Sequence, residues 1–150
     1  MLVMFFGIWL WLAQRLTAWG DELFHLGAAA GLLEVGRPLV SLMDLCGGFS
    51  TNEYHRAIEV TRWVSWSYQI FGESLTSARV VPLVFVIATW LLYVGYTQWR
   101  KYSTPKHLLL VTVLFFAQSM ILETSVYVRM YGPLLFFFLL TMIGIWETSQ

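Results

Sequence analysis

Four long apolar runs set the limits on what this chain can become. They cover about residues 2–16, 80–96, 108–122 and 130–146. A run of this length in a lipid environment must satisfy every backbone N–H and C=O internally, which leaves the α-helix as its spanning form. The runs are near the length needed to cross a bilayer, the first being the shortest. With 58% hydrophobic residues and only 12% charged, the chain carries about half the charge of a soluble domain. The expectation is an all-α membrane protein, a single domain over residues 1–150 with about four transmembrane helices.

Charge placement then sets topology. The nine Lys and Arg balance the nine Asp and Glu, so no net field points toward nucleic acid. The segment from Gln98 to His107 holds Arg100, Lys101 and Lys106 within a few residues, the densest positive cluster in the chain. The positive-inside rule assigns it to the cytoplasm. Counting outward puts both termini inside and brings residues 17–78 and the turn Glu123 to Arg129 to the same outer or lumenal side. The alternative for the first run is a secretory signal peptide ending near Leu16-Thr17-Ala18, but the run lacks a positive n-region.

The outer segment has helical patterning of its own. Glu22 to Val35 places Leu23, Leu26, Ala30 and Leu33 on one face and closes at Gly36 and Pro38. A Gly-rich polar loop follows over Ser41 to Asn52. Tyr54 to Phe71 resumes the helical pattern, with Trp63, Trp66 and Ile70 on one side, and Gly72 ends it. Both suit helices lying in the membrane interface. Pro82 and Pro133 are each expected in the first turn of a span, where a missing N–H costs little. Cys46 is alone, so it cannot form an internal disulfide and reads as a small apolar residue.

Adjacent carboxylates at a membrane edge are costly and usually chemical, which singles out Asp21 and Glu22. Asp21 also fits a helix N-cap, and a carboxylate there stays ionised and available as a base. Glu22 and His25, three residues apart on one helix face, can hold a divalent metal, with His55 as a further ligand. Two such ligands also read as an ordinary interfacial pair. Arg129 carries a guanidinium fork suited to phosphate, with Tyr131 adding a hydrogen bond and Arg79, Arg56 and Arg62 in reserve. The alternative for Arg129 is pairing with Glu123 and snorkelling to the interface.

Together these residues resemble a family, the GT-C class of polytopic glycosyltransferases, in particular the protein O-mannosyltransferases and lipid A aminoarabinose transferases. The likeness lies in Trp19-Gly20-Asp21-Glu22, Gly27-Ala28-Ala29-Ala30 and Val35-Gly36. It continues through Phe71-Gly72-Glu73-Ser74, Ala78-Arg79-Val80 and Tyr127-Val128-Arg129-Met130-Tyr131. The resemblance implies transfer of a sugar from a polyprenyl-phosphate carrier to an acceptor hydroxyl on a protein, lipid or glycan, with inversion. Asp21 would be the general base, Glu22 its catalytic neighbour, and Arg129, Tyr131 and Arg79 the donor-phosphate ligands. Metal use varies in such enzymes. The membrane would be the inner or plasma membrane of a prokaryote or the endoplasmic reticulum of a eukaryote.

The family departs from this chain in two places. A proline-rich stretch usual before the second outer helix is replaced by Tyr54-His55-Arg56-Ala57-Ile58-Glu59, and relatives carry many more spans. The expectation is therefore the N-terminal part of a GT-C fold. A competing reading is a non-enzymatic membrane subunit or inactive fragment, with Gln118, Ser119 and Thr124 joining partner helices. A channel or transporter has less support, since no span has a charged or Gly/Pro-broken middle.

Overall fold

The computed structural model describes residues 2–18, 20–43 and 49–150; the side chains of residues 2, 21, 41–43 and 49–51 are outside that description. Trp19 and Cys46, both read above, lie outside the described residues. The described residues form seven helices and one antiparallel strand pair: α1 (Leu2–Arg15), α2 (Gly20–Val35), β1 (Leu39–Met43), β2 (Phe49–Glu53), α3 (Ile58–Phe71), α4 (Leu75–Trp99), α5 (Pro105–Ala117), α6 (Ser119–Val126) and α7 (Tyr131–Thr148).

The helix α4 organises the rest. Ser74 caps its start, its hydroxyl accepting the Ser77 N–H at 3.1 Å. The tight α3–α4 turn is held by Ser77 Oγ donating to the Gly72 carbonyl at 2.6 Å and Ser67 Oγ donating to the Ser77 carbonyl. Gly72 adopts φ 81°, a left-handed value that side chains disfavour. Because α4 begins at Leu75 rather than Val80, Pro82 is not in the first turn as expected. It lies two turns inside the helix, where its ring denies the Ala78 carbonyl a helical donor.

Contacts along the bundle fix helix direction. Gly132 packs against Pro82, Phe85 against Phe136 at 5.9 Å, and the Tyr96 hydroxyl bonds Glu147 at 2.6 Å, so α4 and α7 run parallel. Gly132 allows a close approach at the first crossing, since a Cβ there would meet Pro82 O at a tight 3.2 Å. Phe5 packs at a tilt against Phe116 with ring centres 4.7 Å apart and Trp9 Nε1 donates to the Ser125 carbonyl at 2.8 Å, so α1 runs with α5–α6. Those three helices oppose α4 and α7.

Among the described residues two helices, α4 and α7, are long and apolar enough to cross a membrane. The third apolar run is not one straight helix as expected. It breaks at Gln118 into α5 and α6, bent by 62°, and the pair meets the same criterion only together. The first run forms the 14-residue α1. The connection to the last helix is also shorter than expected, because Glu123 to Val126 are helical and only Tyr127 to Met130 remain outside helix.

The segment between α1 and α4 contains more than helices. The expected loop over Ser41 to Asn52 gives way to an antiparallel hairpin in which Leu39 pairs with Glu53 and Met43 with Phe49. The strand β1 lies directly on α2 at Gly31, whose missing side chain admits the Leu39 backbone. The helix α2 also presents an unexpected face. Glu22, His25, Ala28 and Ala29 are buried, whereas Leu23 and Leu33 are exposed. Ala29 joins Val60, Val64 and Tyr68 of α3, Ala78 and Val81 of α4, and Val128 in one core. A second core of Phe5, Trp9, Ala13, Leu83, Phe116 and Val126 lies beside it. On α3, Trp66 and Ile70 are exposed as an interfacial helix would have them, but Trp63 turns inward onto Phe85 at 4.7 Å.

Candidate functional site

The start of α4 delivers Arg79 to the centre of the fold, and α2 delivers Glu22 to meet it. Both side chains are fully buried. Arg79 Nε donates to Glu22 Oε1 at 3.0 Å and Nη2 donates to Oε2 at 2.9 Å, a fork-on-fork pair. Arg79 Nη1 donates to the carbonyls of Ala13 at 2.8 Å and Leu16 at 2.9 Å, and Nη2 reaches the Thr17 carbonyl at 3.4 Å. All five guanidinium N–H groups are thus engaged. The carbonyls at the end of α1 have no helical donors, and a cation there also complements the helix dipole.

The carboxylate reaches one element more. Glu22 Oε1 accepts the backbone N–H of Val128 at 3.1 Å. One ion pair therefore ties together the end of α1, the first turn of α2, the start of α4 and the link between α6 and α7. The two polar regions that the sequence puts on one side of the membrane meet at this point. Asp21 precedes Glu22 in chain and Arg129 follows Val128, so the pair anchors the backbone on both sides of the candidate site. Asp21 lies inside the first turn of α2 rather than ahead of it, because the helix begins at Gly20; its side chain is outside the described residues.

Beyond the pair lies a cavity of about 540 Å³ between α6 and α7. Met120, Ile121, Leu134 and Phe138 give it apolar walls, while Arg129, Glu123, Thr124, Tyr127 and Tyr131 supply polar groups. Tyr127 connects it to the ion pair: its ring centre is 5.8 Å from the guanidinium carbons of both Arg79 and Arg129. A cation that close to an aromatic ring is attracted by the ring quadrupole. No ion pair joins Glu123 to Arg129 among the described residues, although both line the cavity. Gln118, at the break between α5 and α6, reaches its wall as well.

Arg79, expected among the donor-phosphate ligands, has its five donors engaged inside the fold. Glu22, expected as a catalytic residue and a possible metal ligand, receives Arg79 and the Val128 amide on its two oxygens. His25 is buried, with Nδ1 3.1 Å from Thr61 Oγ1 and its ring edge-on to Tyr54 at 5.1 Å. Glu22 faces Arg79 while His25 faces Thr61. His55 is exposed and bonds Glu53 at 3.0 Å. Arg62 pairs with Glu59 at 2.7 Å.

Of the expected site residues, Arg129 and Tyr131 share the cavity wall. Sequence reasoning missed Tyr127 and the Val128 amide. Tyr127 stood in the motif Tyr127-Val128-Arg129-Met130-Tyr131 with no role assigned to it, and no side-chain pattern marks a backbone N–H.

Compared with protein-family models, with curated proteins and with solved structures, the chain has no match in any of the three.

Proposed function

We propose that the chain is part of a multi-pass membrane glycosyltransferase of GT-C type that moves a sugar from a polyprenyl-phosphate donor to an acceptor hydroxyl. The observation that carries this reading is the cavity beside the buried pair. It combines an apolar trough between helices with one end that holds Arg129, Tyr127 and Tyr131, which suits an amphiphile with an isoprenoid body and a phosphate head. The geometry of a bundle with α1 and α5–α6 opposed to α4 and α7 supports four passes, with the Gln118 break inside the third.

In the reaction Asp21 accepts the proton of the acceptor hydroxyl as its oxygen attacks the anomeric carbon. The bond from that carbon to the phosphate oxygen breaks on the opposite face, so configuration inverts. The lipid phosphate departs with its negative charge facing Arg129, and a site poor in water makes that contact stronger. Glu22 and Arg79 hold the two sides of the site in register.

The binding half of this account is tested with the purified chain in nanodiscs and a short-chain polyprenyl phosphate. The Arg129→Ala variant is expected to bind it at least about tenfold more weakly, the scale of a lost charge-assisted contact. Equal binding by that variant would remove Arg129 from the site. A second reading, a non-enzymatic subunit, draws on the outer faces of the bundle, where α7 buries only Gly132 and Pro133 and α5 only Phe116. Absence of polyprenyl-phosphate binding in the unaltered chain would favour it.

A further inference from the structure

The opposite end of the bundle carries a second feature, independent of the transferase reading. The parallel packing of α4 and α7 brings their C-terminal ends to one level. There Arg100 is tied down: Nε lies 3.2 Å from Glu147 Oε1 and Nη2 donates to Gln150 Oε1, while Tyr96 donates to the same Glu147 carboxylate. Arg100 therefore joins two helices and is paired with Glu147. Lys101 and Lys106, the only lysines in the chain, are exposed and form no ion pair among the described residues. His107 is held by the Tyr93 hydroxyl at 3.3 Å.

The backbone is strained to place Lys101 there. The N–H of Tyr102 bonds the Thr97 carbonyl at 2.9 Å and the N–H of Lys101 bonds the Gln98 carbonyl at 3.0 Å, the paired bonds of a Schellman turn. The left-handed position in that turn normally falls to glycine, yet here it is Lys101 at φ 57°. Around the two lysines, Trp99, Tyr102 and Trp146 are 68%, 56% and 53% exposed, an aromatic rim of the kind that sits at lipid headgroups. The rim fixes the depth of this end at the membrane surface, where two unpaired cations face the headgroup layer.

We propose that Lys101 and Lys106 form a headgroup site for an anionic phospholipid at the ends of α4 and α7. The lipid phosphate sits between the two ammonium groups, its acyl chains run along the exposed apolar face of α7, and Arg100 holds the two helix ends in register without contacting the lipid. The partner is a phospholipid rather than a soluble anion because the rim places the charges at the bilayer boundary and α7 beside them exposes Phe138, Met142 and Ile145.

The test is competition for bound lipid. The chain is purified from nanodiscs of equimolar phosphatidylcholine and phosphatidylglycerol, and the lipids it retains are counted by native mass spectrometry. Preferential retention of phosphatidylglycerol is expected, and Lys101→Ala with Lys106→Ala should reduce that preference roughly 30-fold, about fivefold per lysine. Lys101→Gly, which relaxes the left-handed turn, should fold at least as well and still lose part of the preference. Arg37→Ala, in the segment before β1, should leave it unchanged. Equal retention of the two lipids by the unaltered chain, or an unchanged preference in the double variant, would overturn the proposal. Loss of retention when inorganic phosphate is added would instead assign the site to a soluble anion and overturn it too.

Discussion

Glu22 and Arg79, 57 positions apart in the chain, form a fully buried bidentate pair with bonds of 3.0 and 2.9 Å, and through it four separate segments share one anchor. Two charges removed from water cost more than their mutual attraction returns unless every remaining donor and acceptor is satisfied. Here the carbonyls of Ala13, Leu16 and Thr17 and the amide of Val128 complete that requirement. The pair is therefore worth keeping only if the fold needs these four segments in register.

Removing one partner should be far worse than removing both. Glu22→Ala leaves a buried guanidinium without its counter-charge, and a loss of about 3–5 kcal/mol is expected. Glu22→Leu combined with Arg79→Met should be less destabilising than the sum of the two single changes. Thermal unfolding of the three variants in the same detergent checks this. Simple additivity would show that the two residues do not act as a unit.

Gly31 sets how closely β1 approaches α2. A Cβ there would lie 2.8 Å from the Leu39 nitrogen and 2.9 Å from the carbonyl oxygens of Arg37 and Leu39, all backbone atoms that cannot swing aside. Gly31→Ala should cost about 1–3 kcal/mol despite the better helix propensity of alanine. Gly144→Ala in α7, where nothing lies within 4 Å of the new Cβ, should be neutral or stabilising by up to about 1 kcal/mol. Unfolding temperatures of the two variants measured side by side decide it.

Tyr68 ties stability to alkaline pH. Burial in α3 raises its phenol well above the ordinary value of 10.0, and the charges of Glu73 and Glu22 push in the same direction. A folded-state value above the unfolded one means that the folded chain favours the protonated phenol. This contribution is fully present below about pH 10 and is lost as pH rises above it. Tyr68→Phe should unfold with a shallower decline between about pH 9 and pH 11. Identical pH profiles for the variant and the unaltered chain would contradict the assignment.

The sequence revealed what depends on local pattern. The apolar runs, the ends of α2 and α3 at Gly36 and Gly72, and the start of α7 follow from helix periodicity and backbone chemistry, and Gly36 takes φ 71°. The face of α2 was misread for a physical reason: Leu23 and Leu33 mark an apolar stripe, yet the core side is chosen by close packing of Ala28 and Ala29 and by the Glu22 pair. The pairing of Arg79 with Glu22 was not legible, because nothing near either residue in sequence names the other. The hairpin was hidden by a segment whose pairing depends on cross-strand register, and the break at Gln118 by an apolar run with no proline or glycine to announce it.

The central claim rests on Asp21, whose helix is held by Glu22 and whose carboxylate is proposed to take the acceptor proton. Membranes carrying the chain are supplied with a radiolabelled polyprenyl-phosphate sugar, and label reaching acceptor is compared between the unaltered chain and Asp21→Asn, with both shown to insert and unfold alike. Loss of a positioned general base is expected to slow transfer by about 10²–10⁴-fold. Transfer by Asp21→Asn at the full rate would contradict the account.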